Sequence, residues 1–115
     1  MPDYVELHAH SNFSLLDGAS HPEDLVAQAA ALGMDALALT DHNAVYGAVR
    51  FVQAAQTHGV RPLLGAELTL GSGHHLTLLV ENQTGWGHLC HLISLAQHNA
   101  PKGEAALPVD QLAQY

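Results

Sequence analysis

A chain of 115 residues has room for one modest hydrophobic core, and 48% hydrophobic against 12% charged residues excludes a disordered tail. Three Lys+Arg against eleven Asp+Glu give a net charge of -8, which excludes a basic footprint on a phosphate backbone, so no strong direct nucleic-acid binding is expected. Ten histidines are the most informative count, because imidazole and carboxylate together are ligands of divalent cations.

In chain order, Tyr4 to Leu7 reads as a short strand, followed by a polar, Gly-containing loop from Ser11 to Ser20. Ser20 and Glu23 have capping-box spacing and Pro22 falls in the first turn, which predicts a helix start there. Leu25, Val26, Ala29 and Leu32 give this helix one apolar face, and Gly33 is placed to end it in the left-handed conformation. Ala36 to Thr40 is short and apolar, as a buried parallel strand is. A second helix is expected from about Ala44 to His58, with Val45, Ala48, Val49, Val52 and Ala55 inward and Gly59 as its stop. Pro62 to Leu70 is the third strand. Strands and helices alternating every 25 to 30 residues or about that indicate βαβ units on a parallel sheet. Gly71-Ser72-Gly73 then signals a tight turn into a strand from His75 to Val80, making a hairpin. A third helix is expected from about Thr84 to Gln97, with Leu89, Leu92, Ile93 and Ala96 inward. Residues 1–98 are therefore the domain body, and 99–115 read as loop or the start of a next element.

The chemistry gathers where strands end. His8-Ala9-His10 closes the first strand, and residues two apart in an extended chain present both side chains to one face. The second strand ends in Thr40-Asp41-His42, and Glu67 lies near the end of the third. Ligands of parallel α/β folds bind at the carboxyl ends of strands, so His8, His10, Asp41, His42 and Glu67 are expected on one rim. If the Gly71 turn makes a hairpin, Thr69 pairs with His75, and Glu67 and His75 share a face. Asp17, in the loop after the first strand, can fold over the same rim or simply stabilise its turn with Gly18.

HAHSNFSLLDGA (His8 to Ala19), LTDHNAVYG (Leu39 to Gly47), GAEL (Gly65 to Leu68) and HLTLLV (His75 to Val80) resemble, in order, the opening motifs of the PHP (polymerase and histidinol phosphatase) domain of bacterial DNA polymerase III alpha subunits. Ser11 to Val26 looks most like the error-prone branch. The resemblance implies an α/β fold, a distorted, TIM-like (β/α)₇ barrel of which this chain holds about the first half. It also implies divalent metal ions, Zn or Mn, up to three in a full site, held here by His8, His10, Asp17, His42, Glu67 and His75, with Glu67 bridging two ions. Asp41 matches the motif and is assigned to catalysis or to orienting a ligand. Later family ligands fall past Tyr115, so an incomplete site with fewer ions is expected.

What the resemblance implies for function is metal-assisted phosphoester hydrolysis, of phosphoesterase or 3′-5′ exonuclease type, within a polymerase. A non-catalytic, metal-stabilised module that docks a polymerase or repair partner is the alternative, and a free-standing small-molecule phosphatase is the third. A half barrel leaves sheet edges open, so a homo-oligomer is expected. Cys90 cannot form an internal disulfide, and Met1 to Tyr4 lacks the features of a signal peptide. With no apolar run of the ~20 residues that span a bilayer, a cytoplasmic location without membrane contact is expected. His21, His58, His88, His91 and His98 read as surface residues, His75 is preferred to His74 by strand parity, Cys90 reads as buried, and Tyr46 and Trp86 read as packing residues.

Overall fold

In chain order the residues form β1 (Glu6–Ala9), α1 (Pro22–Ala31), β2 (Ala36–Leu39), α2 (Ala48–His58), β3 (Arg61–Thr69), β4 (His75–Leu79), α3 (Gln83–His98) and a closing 3₁₀ turn, Val109–Gln114. This is a computed structural model that describes residues 4–115; Met1, Pro2 and Asp3, part of the expected leaderless N-terminus, lie outside the described residues. The strands form one sheet in the order β1-β2-β3-β4, with β1, β2 and β3 parallel and β4 antiparallel to β3. The sheet curls into a half barrel, the first part of the expected α/β architecture.

Burial follows from the two-residue period of the strands. Leu37 and Leu39 of β2 pack with Val26 and Ala29 of α1 and Phe51, Ala54 and Ala55 of α2, with Leu64 of β3 against them. Further along β3, Ala66 and Leu68 stand on the same face as Leu64 and pack under α3 through Leu89, Leu92 and Ala96. One face of β3 is thus given to the two apolar clusters, and Glu67 and Thr69 alternate onto the other. The hairpin depends on Gly65, where a Cβ atom would stand 2.2 Å from the backbone oxygen of Leu78. Only glycine lets β4 approach that closely.

The elements depart from the sequence pattern at instructive places. β1 lies two residues later than expected. The Ser20–Glu23 capping box does not form: His21 occupies the N-cap without a side-chain capping bond, and Arg50 of α2 takes both oxygens of Glu23, at 2.5 and 2.8 Å. α2 starts at Ala48 rather than Ala44, so its buried stripe is Ala48, Phe51, Ala54 and Ala55, while Val49 faces out. Gly33 and Gly59 both take the left-handed conformation expected of helix stops, with φ 78° and 70°. Tyr46, expected to pack, is 72% exposed. Cys90 is half-buried, not buried.

The segment after Asn99 is more than a loop. Leu107 is fully buried in the α3 cluster and adds a parallel bridge to the sheet at Leu70: the Leu107 N–H donates to Thr69 O at 2.9 Å, and the Gly71 N–H donates to Leu107 O at 3.0 Å. Leu107→Ala is expected to cost about 2–5 kcal/mol of unfolding free energy, read as a lower urea midpoint. A loss below about 0.5 kcal/mol would show that the tail contributes nothing to the core.

Candidate metal centre

Three strands deliver four imidazoles to one carboxylate. Glu67, at the end of β3, is buried, with its side chain 7% exposed. β1 runs into His8 and His10, whose Nε2 atoms both face Glu67 Oε1: His8 in a short hydrogen bond, His10 at 3.3 Å. The other oxygen, Oε2, lies 3.2 Å from His42 Nδ1 and 2.8 Å from His75 Nδ1. Register explains the convergence. His42 forms a lone parallel bridge with Glu67 just past β2, and Thr69 pairs with His75, as the turn at Gly71 predicts, which puts Glu67 and His75 on one face.

Asp17 reaches the same rim from the loop between β1 and α1. Its Oδ2 lies 2.5 Å from His42 Nε2 and 3.4 Å from His10 Nδ1. Asp41 holds that loop in place. Buried at 2% exposure, it accepts hydrogen bonds from Ser11 N–H at 2.6 Å, Ser11 Oγ at 2.7 Å and Ser14 Oγ at 2.7 Å. Ser14 Oγ in turn accepts from the His42 N–H at 3.0 Å, so one carboxylate ties the loop to the strand end that bears His42. Gly18 permits the closure, because a Cβ there would sit 2.0 Å from Ser11 O.

The ligand atoms fall into three groups, each within 4.8 Å: His8, His10 and Glu67; His10, Asp17 and His42; His42, Glu67 and His75. Neighbouring rings lie 5.1 Å (His8 and His10), 4.3 Å (His10 and His42) and 5.3 Å (His42 and His75) apart. Burial raises the Glu67 carboxyl, but the hydrogen bond from His8, the positive potential of His42, the bond from His75 and the potential of His10 outweigh it and hold the group below its ordinary value. Two features fit a divalent cation. His10 Nε2 is buried and, among the described residues, has no hydrogen-bond partner despite its nearness to Glu67, and a lone pair left this way costs free energy unless something accepts it. The donor set itself, imidazole nitrogen with carboxylate oxygen, suits divalent ions of intermediate softness.

All six residues read as ligands from the sequence therefore meet at one rim, and Asp41, read as catalytic or as orienting a ligand, stands behind it: both of its oxygens are committed to Ser11 and Ser14, and it belongs to none of the three groups. His74 turns away to Ser72, and His21, His58, His88, His91 and His98 are exposed as expected. Sequence reasoning missed Ser11, Ser14 and Asn43; their type, small polar residues flanking the His-containing motifs, was the available signal. Asp41→Ala is expected to lower stability by about 3 kcal/mol, since it strands Ser11 N–H and both hydroxyls, and to open the segment 11–18 to protease. Urea unfolding and limited proteolysis read both, and an unchanged cleavage pattern would contradict the tie.

Comparison with known proteins agrees with this geometry. The PHP domain profile matches residues 6–115. An error-prone DNA polymerase of Symbiobacterium thermophilum is 58% identical over 93 residues, 81% of this chain and 9% of that protein. One from Ralstonia nicotianae is 45% identical over 118 residues, 98% of this chain and 11% of that protein. The chain thus spans about a tenth of the length of the relatives it matches. Among solved structures, an amidohydrolase from Chromobacterium violaceum, with bound sulfate and no metal, superposes with a TM-score of 0.65 at 28% identity, over 83% of this chain and 34% of that one. A presumed metal-dependent phosphoesterase from Bifidobacterium adolescentis gives 0.59 at 25% identity, over 98% and 40%.

Proposed function

This chain belongs to the PHP domain family, and on that premise we propose that it forms the metal-binding part of a phosphoester-hydrolysing centre within a longer chain of the error-prone DNA polymerase type. The observation that carries the reading is the division of Glu67: one oxygen faces His8 and His10, the other His42 and His75. A carboxylate so placed could be shared by two cations, with His8 and His10 holding one and His42 and His75 the other, and Asp17 with His42 would offer a further position. Zn or Mn suits these donors better than Ca, which takes oxygen ligands.

Cations seated there would polarise a phosphoryl oxygen and make a nearby water acidic enough to attack phosphorus. The protein's own residues do the rest. His8 and His75 stay about half exposed, at 52% and 49%, so the rim is open to a substrate on that side. Glu67 is fixed from beneath by β3 and β4, and Asp41 acts as a positioning residue through Ser11 and Ser14. With a chain charge of -8, cations held at the rim would offset the repulsion that a phosphate meets there. The relatives' identity as polymerases points to a DNA 3′ end as the substrate. A metal-stabilised docking module is the second reading, favoured by the net charge of -8 with three Lys+Arg, which gives the chain no basic footprint for a phosphate backbone.

Elemental analysis of chelator-free protein is expected to find Zn or Mn bound. His8→Ala is expected to lower the amount and Glu67→Gln to lower it most, by about tenfold or more in affinity, with circular dichroism unchanged. Equal metal in wild type and both variants would overturn the site. Hydrolysis of a phosphodiester reporter by the loaded protein separates the readings: turnover supports the catalytic one, and stoichiometric metal without turnover supports the docking module.

A further inference from the structure

β2 ends at Leu39, opposite Leu64, whereas β3 runs on to Thr69. The chain leaving β2 still follows its neighbour for one step: Glu67 N–H donates to Asp41 O at 2.9 Å and Asn43 N–H donates to Glu67 O at 2.9 Å. A parallel ladder continued one step further would give the Thr69 N–H a backbone carbonyl at position 43. That carbonyl has turned away. Asn43 takes the left-handed conformation, φ 53°, and its carbonyl accepts from Gln97 Nε2 of α3 at 2.9 Å. The side chain supplies what the backbone does not: Thr69 N–H donates to Asn43 Oδ1 at 2.8 Å, and Asn43 Nδ2 donates to Thr69 Oγ1 at 3.0 Å.

Both ends of this clamp adjoin the site. Asn43 directly follows His42, and Thr69 is the residue opposite His75. We propose that Asn43 is a positioning residue that sets His42 and His75 together on Oε2 of Glu67; its functional meaning rests on the metal-binding reading above. His8 and His10 reach Oε1 from β1 and are independent of the clamp. Asparagine fits the place because it tolerates the left-handed region better than most non-glycine residues and carries an acceptor and a donor on one planar group. Aspartate keeps the conformation and the acceptor, and glycine keeps the conformation alone.

The ring pairs supply matched reporters, His42 and His75 at 5.3 Å against His8 and His10 at 5.1 Å. Ring-proton cross-relaxation peaks in the metal-free chain read both at once. In Asn43→Gly the His42–His75 peak is expected to vanish, the His8–His10 peak to persist, and the Thr69 amide to exchange at least about tenfold faster; Asn43→Asp is expected to keep both peaks. Thr69→Val, which removes only the hydroxyl, serves if Asn43→Gly does not fold, and is expected to weaken the first peak alone. Zinc titration of Asn43→Gly is expected to show a loss of about tenfold or more confined to one binding step. Survival of the His42–His75 peak in Asn43→Gly, or loss of both peaks together in the glycine and valine variants, would overturn the assignment. If the ring contacts respond as expected and wild-type chain binds no zinc, the metal reading fails and the positioning role stands.

Discussion

One carboxylate, buried at the end of a strand and faced by four imidazoles, is the constraint on which the rest of this molecule turns. Glu67 has little access to water, and its charge is stabilised by the rings around it rather than by solvent. An arrangement so rich in lone pairs is costly for a fold to keep unless the pairs have somewhere to go. His10 Nε2, buried and unbonded, is the plainest case. On the reading proposed above, a divalent cation on each side of the carboxylate would relieve the crowding and supply the cluster's chemistry.

The scaffold meets that constraint by dividing β3 between its two faces. Leu64, Ala66 and Leu68 commit one face to the helices, so Glu67 must emerge on the other, beside the ends of β1 and β2. A one-residue slip of β3 would exchange the carboxylate for Ala66 or Leu68. The register is therefore held at several points by groups that bind nothing themselves: Gly65 admits β4, Asp41 fastens the loop that carries Asp17, and Asn43 extends a ladder that its own backbone has left. Leu107, arriving from the far end of the chain, seals the cluster behind β3.

Much of this was legible in the sequence. The His-x-His pair, the motif ending in His42, and the parity that joins Glu67 to His75 across the Gly71 turn are all set by strand period and turn chemistry, which are local. What escaped was decided by distant partners. Nothing near Ser20 reveals that Arg50 will take Glu23, and nothing near Ala44 reveals that Asn43 will turn left-handed to satisfy Thr69, delaying α2 by a turn. Asp41 is expected at the rim, in catalysis or orienting a ligand; neighbours in an extended segment point opposite ways, and its carboxylate goes to Ser11 and Ser14, which fits the orienting role. Leu107 sits in a run of Pro, Gly and small residues that has no periodicity to mark it as core.

Whether Glu67 bridges cations between two imidazole pairs can be read by anomalous diffraction from crystals grown with Mn²⁺. Two anomalous peaks are predicted, one among His8, His10 and Oε1 of Glu67 and one among His42, His75 and Oε2. A map with no peak at Glu67, or with manganese bound instead at His88 and His91 on the surface of α3, would rule out the bridge.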